Sequence, residues 1–305
     1  MASRREFTQI DWSEAVADDC RQIVRLAIRE DLAQAHDWTT VALAPAEARG
    51  RAAVVARGAG TVAGLRAAQL ALDEMQVSVA WQPLAGDGQA VSSGDRLAQL
   101  EGPVREILTA ERLLLNLIGR LSGIATLTRQ FVQAVQGTAA GIYDTRKTTP
   151  GWRRLEKYAV RCGGGRNHRT GLFDAVLIKD NHLALLQLRP GEAVRRAREF
   201  LLSAGRAPET TESLIVEVEV DTLEQLNDAL TAGPDIILLD NMSPGQLREA
   251  VARRDAVAPD IELEASGGVN LRSVRAIAET GVDRISVGTL THSVMALDVA
   301  LDWSL

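Results

Sequence analysis

From residue 141 onward the chain repeats one phrase: a short apolar run ends in polar residues, and a stretch with helical periodicity follows. The runs are "GIYDTRK", "DAVLIKDNH", "LIVEVEVD", "DIILLDN", "DIELEASGG" and "DRISVGTLTH". Between them lie "TLEQLNDALTAG", "SPGQLREAVARR" and "NLRSVRAIAETG", the first and third closing on glycine where a helix C-terminus favours it. Strand, helix, strand with short connections predicts parallel β/α units. Strands that are apolar almost throughout predict helices covering the outside of the sheet. Six such units point to an α/β chain with a TIM-like barrel that need not reach eight strands.

Residues before about 115 follow another rhythm. "RGRAAVVARGAGTVAGLRAAQLALDEM" and "VSVAWQPLAGDGQAVSSGDRLAQLEGPV" mix short alternating strands, glycine turns and one helix, which predicts a sheet domain with antiparallel pairing. "GDGQAVSSGDRLAQLEG" has the look of a biotinyl or lipoyl carrier hairpin, but no lysine precedes Lys147 to carry such a group. "ERLLLNLIGRLSGIATLTRQFVQAVQ", from Glu111 to Gln136, predicts one or two helices leading into the barrel. The expected division is therefore 1–115 for an N-terminal α/β sandwich domain, 116–289 for the barrel and 290–305 for a C-terminal tail.

Charge changes the picture. The chain has 305 residues and a net charge of −6, which disfavours a nucleic-acid partner. Yet residues 141–182 hold nine Lys/Arg against four Asp/Glu, a local +5 that leaves −11 for the remainder. A cationic island in an acidic protein suits a small anionic ligand. The same segment contains all three lysines, Lys147, Lys157 and Lys179, whereas the other cationic positions are arginines. Two cysteines, Cys20 and Cys162, are too few for a disulfide framework, and the sequence shows neither an apolar run of membrane-spanning length nor a signal-peptide pattern. A cytoplasmic location with no membrane partner is the expectation.

In a β/α barrel the reactive groups gather at the C-terminal ends of the strands. Those ends carry Asp144 to Lys147, Lys179 to His182, Glu219 with Asp221, Asp240 with Asn241, Glu264 to Gly268, and Gly288 to His292. "ASGGV" and "VGTLTH" each sit between a strand and a helical pattern, where glycine lets backbone amides approach a phosphate. "GGGRNH" is expected to be a loop that is either ligand-facing or a solvated surface turn. Lys147 and Lys179 offer compact charges for phosphate oxygens, a role a planar guanidinium fills differently. Lys157, on a predicted helix, is the structural member of the three. Glu217 and Glu219 alternate with valines and share one face; Glu219 and Asp240 suit hydroxyls and Mg²⁺, while Glu217 is expected in a buried salt bridge to a neighbouring strand. His168, His182 and His292 lack the spacing of a zinc site.

The block "DTRKTTPGWRRLEKYAVRCGGGRNHRTGLFDAVLIKDNH" resembles the signature of the quinolinate phosphoribosyltransferases. "ERLLLNLIGRLSGIAT", "EVEVDTLEQL", "ILLDNM", "EASGGV" and "VGTLTH" follow in the matching order. The resemblance implies an amino-terminal sandwich domain, an incomplete α/β barrel, and a homodimer, or a higher oligomer of dimers, in which the sandwich of one subunit caps its partner's barrel. It implies transfer of phosphoribose from phosphoribosyl pyrophosphate to quinolinate with Mg²⁺ and loss of CO₂, giving nicotinate mononucleotide for NAD synthesis. By the same resemblance Arg112, Arg146, His168, Arg169 and Lys179 line the dicarboxylate pocket, and Lys147 faces the pyrophosphate. Glu219 and Asp240 hold ribose hydroxyls and metal, while Ser266, Gly267, Gly268, Gly288 and His292 cradle the 5′-phosphate. Two departures, Ala35-His36 before Asp37 and Trp152 after "TTPG", lie outside this charged set. Rival readings are an aldolase with Lys179 as a Schiff base, the same scaffold acting on nicotinate or in a molybdenum-associated role, and a phosphosugar binder without turnover.

Overall fold

The computed structural model describes residues 5–203 and 214–304. Its strands are β1 (Arg49–Ala56), β2 (Gly60–Thr61), β3 (Ala80–Pro83), β4 (Ala90–Val91), β5 (Arg96–Pro103), β6 (Gly141–Tyr143), β7 (Ala175–Ile178), β8 (Ile215–Val220), β9 (Ile236–Asp240), β10 (Glu262–Ser266), β11 (Arg284–Ser286) and β12 (Val299–Ser304). Two compact units share them. One comprises Met1–Gln9, Gln130–Arg146 and Arg166–Thr289, the other Ile10–Arg129, Lys147–Gly165 and Leu290–Leu305. These units interleave along the chain, a different division from contiguous segments broken at 115 and 289.

The first unit is the incomplete TIM-like barrel. Its six strands form one parallel sheet in the order β6-β11-β10-β9-β8-β7, one strand from each apolar run. Beyond β6, Arg166 makes a parallel bridge to Tyr143, so the chain after the triple glycine runs alongside the sheet as an extended segment. Helix starts are set by local chemistry. Thr222 accepts from the Gln225 N–H ahead of the helix Leu223–Leu230, and Ser243 and Gln246 form a reciprocal cap on the helix Pro244–Val257. Phe7 packs with Ala175, Ile215 and Ile236, the first residues of β7, β8 and β9, and so closes the N-terminal ends of those strands. Nearby the Tyr143 hydroxyl donates to Glu6 at 2.7 Å, and Arg284, only 1% exposed, donates to both Glu6 and Glu262.

The second unit holds an antiparallel sheet ordered β12-β1-β5-β3 and the two-stranded β2-β4 pair. β12, from the segment expected to be a tail, pairs with β1 from Arg51↔Ser304 to Ala56↔Val299. Glu111 to Gln136, expected as one or two helices, falls mostly within a single 31-residue helix, Val104–Ala134. Gly163 lies against that helix. A Cβ there would stand 2.5 Å from both the Ala125 carbonyl oxygen and Thr128 Cβ, so the first glycine of "GGGRNH" permits a close backbone approach. No described helix is long and apolar enough to cross a membrane.

Candidate active site

Polar residues gather at the C-terminal ends of the barrel strands. Lys179 follows β7 and forms the N-cap of the helix Asp180–Leu186. Its N–H donates to His182 Nδ1 at 2.9 Å and its Nζ donates to Glu219 Oε2, on β8, at 3.0 Å. Asp180, Glu219, Asp221 and Asp240 line a cavity of about 380 Å³. These acidic side chains give the cavity acceptors for hydroxyl groups. On β9 and β10 Asp240 pairs in register with Ser266. Next to it Asn241 adopts a left-handed φ of 55° and donates its N–H to the Ser266 carbonyl at 2.9 Å. Gly267, at φ 96°, presses on Asn241 so closely that a Cβ would collide with its side chain and its amide nitrogen, whereas the space over Gly268 is open. Gly288 follows β11, whose next residue Val287 donates its N–H to the Tyr143 carbonyl.

A buried layer is organised by Asp144, at the end of β6. Its carboxylate accepts from Asn167 Nδ2 at 2.7 Å and from the His168 N–H at 2.9 Å, which fixes the segment that carries His168 and Arg169. Arg169 is 6% exposed and donates to the Ala175 carbonyl at 3.3 Å. Burial, and then the neighbouring charge of Arg146, disfavour its charged form, while Glu217 and Asp174 favour it. Two guanidinium groups in a partly dry setting are a ready receptor for a dianion. His168, Glu217 and Glu264 are all buried, with one potential ligand atom from each lying within 4.8 Å of the others. Burial, and after it the Glu217 carboxylate, push Glu264 up to about 7. Glu217 lies 3.0 Å from the His168 ring nitrogen, and not in the expected salt bridge to a neighbouring strand.

The remaining expected residues belong to the other unit. Arg112 is exposed on the long helix and lines a cavity of about 550 Å³ with Asn116, Arg120, Trp152 and Leu297. Lys147 is exposed, and its carbonyl accepts from the Thr291 hydroxyl at 2.7 Å. His292 ends the short helix Thr289–His292 and lies beside the Ser293 hydroxyl. Glu156, wholly buried, accepts from Arg120 at 2.7 Å and from the Thr149 hydroxyl at 2.9 Å, and so holds the "TTPG" turn. Lys157 is on the expected helix, Arg153–Cys162, but is fully buried.

Comparisons with known proteins cover most of the chain. The family described as quinolinate phosphoribosyl transferase, N-terminal domain, matches residues 37–122, and its C-terminal domain matches residues 124–302. The chain belongs to the quinolinate phosphoribosyl transferase family. It is 46% identical over 292 residues to a nicotinate-nucleotide pyrophosphorylase (carboxylating) of Mycobacterium leprae, covering 95% of this chain and 99% of that one. Identity to the probable enzyme of that name from Bacillus subtilis is 44%, over 83% of each chain. A solved nicotinate-nucleotide pyrophosphorylase from Francisella tularensis superposes with a TM-score of 0.87 at 38% identity, covering 98% of this chain and all of the other.

Within the barrel unit the structure places Lys179, Glu219, Asp240, Ser266, Gly267, Gly268 and Gly288 at strand ends, as the repeat predicts. Asp144, Asn167, Glu156 and Glu264 carry structural weight that the motifs did not assign. One signal was present for Glu264. Glu262 and Glu264 repeat on β10 the alternation of Glu217 and Glu219 on β8.

Proposed function

We propose that this chain is a decarboxylating quinolinate phosphoribosyltransferase. It transfers phosphoribose from phosphoribosyl pyrophosphate to quinolinate and yields nicotinate mononucleotide, pyrophosphate and CO₂ for de novo NAD biosynthesis. The observation that carries the reading is the family match across both domains, sustained at 46% identity over 95% of the chain. The buried Arg169, with the half-buried Arg146 as its cationic neighbour, supports a role in receiving carboxylates.

In this reading Arg112, Arg146, His168, Arg169 and Lys179 bind the acceptor and orient its ring nitrogen toward C1′ of the donor. The C1′–O bond to pyrophosphate breaks as the N–C1′ bond forms, and positive charge builds on the ribosyl carbon. Glu219 and Asp240 stabilise that charge and hold the hydroxyls, and Lys147 attracts the departing pyrophosphate. Ser266, Gly267, Gly268, Gly288 and His292 receive the 5′-phosphate. Mg²⁺ would be held by Glu219 and Asp240, which line the 380 Å³ cavity. When bound, the ion neutralises charge on the pyrophosphate. The cationic ring nitrogen then stabilises the electron pair left on C2 when the 2-carboxylate leaves as CO₂, and that pair takes up a proton to give the C2–H bond. A site that strips water from this carboxylate favours its loss. A cytoplasmic homodimer, without nucleic-acid or membrane partners, completes the proposal.

Incubation with quinolinate, phosphoribosyl pyrophosphate and Mg²⁺ should give nicotinate mononucleotide and CO₂ in equal amounts. Product from nicotinate at equal efficiency, a borohydride-trapped adduct on Lys179, or bound phosphosugar without turnover would each replace this reading with a rival.

A further inference from the structure

His168 is held from several sides within the barrel unit. Phe7 stacks on its ring, with centroids 4.4 Å apart and planes at 26°. The Arg169 N–H donates to Nδ1 at 2.8 Å. Nε2 lies 3.0 Å from Glu217 Oε2 and 3.5 Å from Glu264 Oε1. Both glutamates are wholly buried, and among the described residues their carboxylates meet the His168 ring and, for Glu264, the Ser286 hydroxyl, with no guanidinium or ammonium group hydrogen-bonded to either. Two buried carboxylates this poorly compensated are costly as a pair of anions, so the cluster calls for a cation or a proton.

The Nδ1 contact decides between them. A metal ion on Nε2 requires a neutral ring whose Nδ1 carries the hydrogen and donates it. Here Nδ1 accepts from a backbone amide, which can only donate. An imidazolium is excluded by the same contact, because both of its nitrogens are donors. The ring is therefore neutral with its hydrogen on Nε2, and any further proton belongs to a carboxyl group. Glu264 is the better holder. Facing it are His168, Glu217 on β8, and Arg284 and Ser286 on β11, with Glu262 two residues away on its own strand. Arg284 already serves Glu262 and Glu6. A neutral His168 also removes one of the charges that would favour ionisation of Glu264, leaving burial and Glu217 less opposed.

We infer that Glu264 carries a proton at neutral pH and that, with Glu217, it is a positioning element that fixes His168 as the neutral Nε2–H ring beside Arg169. The consequence for binding rests on the reading that Arg146 and Arg169 receive the acceptor. Ionising Glu264 adds a negative charge close to Glu217, which itself acts on Arg169, and so opposes a dianion. Quinolinate affinity should therefore weaken as pH rises through the Glu264 transition, which burial and Glu217 raise well above the ordinary carboxylate range, by at most about tenfold per pH unit for one linked proton.

Three measurements on the full chain test this. Infrared difference spectra between pH ~6 and ~8.5 should show a protonated-carboxyl band that disappears on raising the pH and is missing in Glu264→Gln. Nitrogen NMR of His168 in the wild type should show Nε2 protonated and Nδ1 bare, which needs no variant to fold. Calorimetry of quinolinate binding near pH 8, in two buffers of different ionisation enthalpy, should show proton uptake in the wild type and none in Glu264→Gln, whose affinity should stay nearly flat with pH. The inference is overturned if the band survives Glu264→Gln, if Nδ1 is protonated, if a stoichiometric transition metal co-purifies on His168, or if the variant keeps the wild-type pH dependence. Should quinolinate neither bind nor turn over, the functional reading fails, while the two spectroscopic results still locate the proton.

Discussion

Nicotinate is quinolinate without its 2-carboxylate, so exchanging the acceptors deletes one anionic group and leaves the ring and the other carboxylate in place. The guanidinium exposed to that loss is Arg169. It is 6% exposed, and among the described residues its Nε has no hydrogen-bond partner and its guanidinium donates to the Ala175 carbonyl at 3.3 Å. Its charged form is already disfavoured by burial and by Arg146. Leaving such a buried charge without its ligand carboxylate costs roughly 2–4 kcal/mol, and more than a neutral pair would. At about 1.4 kcal/mol per factor of ten, the preference for quinolinate in kcat/KM should be about 30- to 1,000-fold. The assay compares kcat/KM for the two acceptors at saturating donor and Mg²⁺, in the wild type and in Arg169→Ala. The variant should lose most of its quinolinate efficiency and little of its residual nicotinate efficiency, so that the ratio collapses. A wild-type ratio below about 3, or a ratio unchanged in Arg169→Ala, would show that Arg169 does not select the second carboxylate.

Lys147→Arg and Lys179→Arg should each lose most activity while staying folded by circular dichroism, because both positions are exposed and tolerate the larger group. Lys157→Arg should instead lower the thermal midpoint, since the fully buried site must admit extra volume, at roughly 1–3 kcal/mol. Gly163→Ala should destabilise by a similar ~1–3 kcal/mol in denaturant titration, as its Cβ would press on Ala125 and Thr128. The raised pKa of Glu264 means its contribution to stability is full below the unfolded value of about 4.5 and is lost as pH rises to about 7. The thermal midpoint of Glu264→Gln relative to wild type should accordingly climb across that window. If Arg112 completes the partner's site in a dimer, mixing inactive Arg112→Ala and Lys179→Ala proteins with verified subunit exchange should restore about a quarter of wild-type activity; no recovery would place Arg112 in its own subunit's site.

The barrel was legible because each strand is an apolar run stopped by charge, and that boundary is also where Lys179, Glu219, Asp240 and Ser266 emerge. What stayed hidden depends on contacts between distant segments. Gly163 reads as a flexible loop glycine until the helix Val104–Ala134 is seen beside it. Lys157 has the periodicity of a half-exposed helical position, and only packing shows it to be enclosed. His168, Glu217 and Glu264 come from three separated stretches, so no spacing in the sequence announces their meeting. The pairing of β12 with β1 is hidden for the same reason, since strand partners so far apart leave no local trace.

That pairing bears on how the protein is made. In the sheet order β12-β1-β5-β3, β1 is an interior strand only once β12 has docked, and its run Ala52 to Ala56 is wholly apolar and buried. On the ribosome β1 emerges long before β12 is synthesised, so the nascent chain presents a bare, sticky strand edge throughout translation of the barrel. The hazard of misassembly is therefore concentrated in the period before release, and chaperone demand, expression temperature and translation speed should govern yield more strongly than the stability of the finished fold.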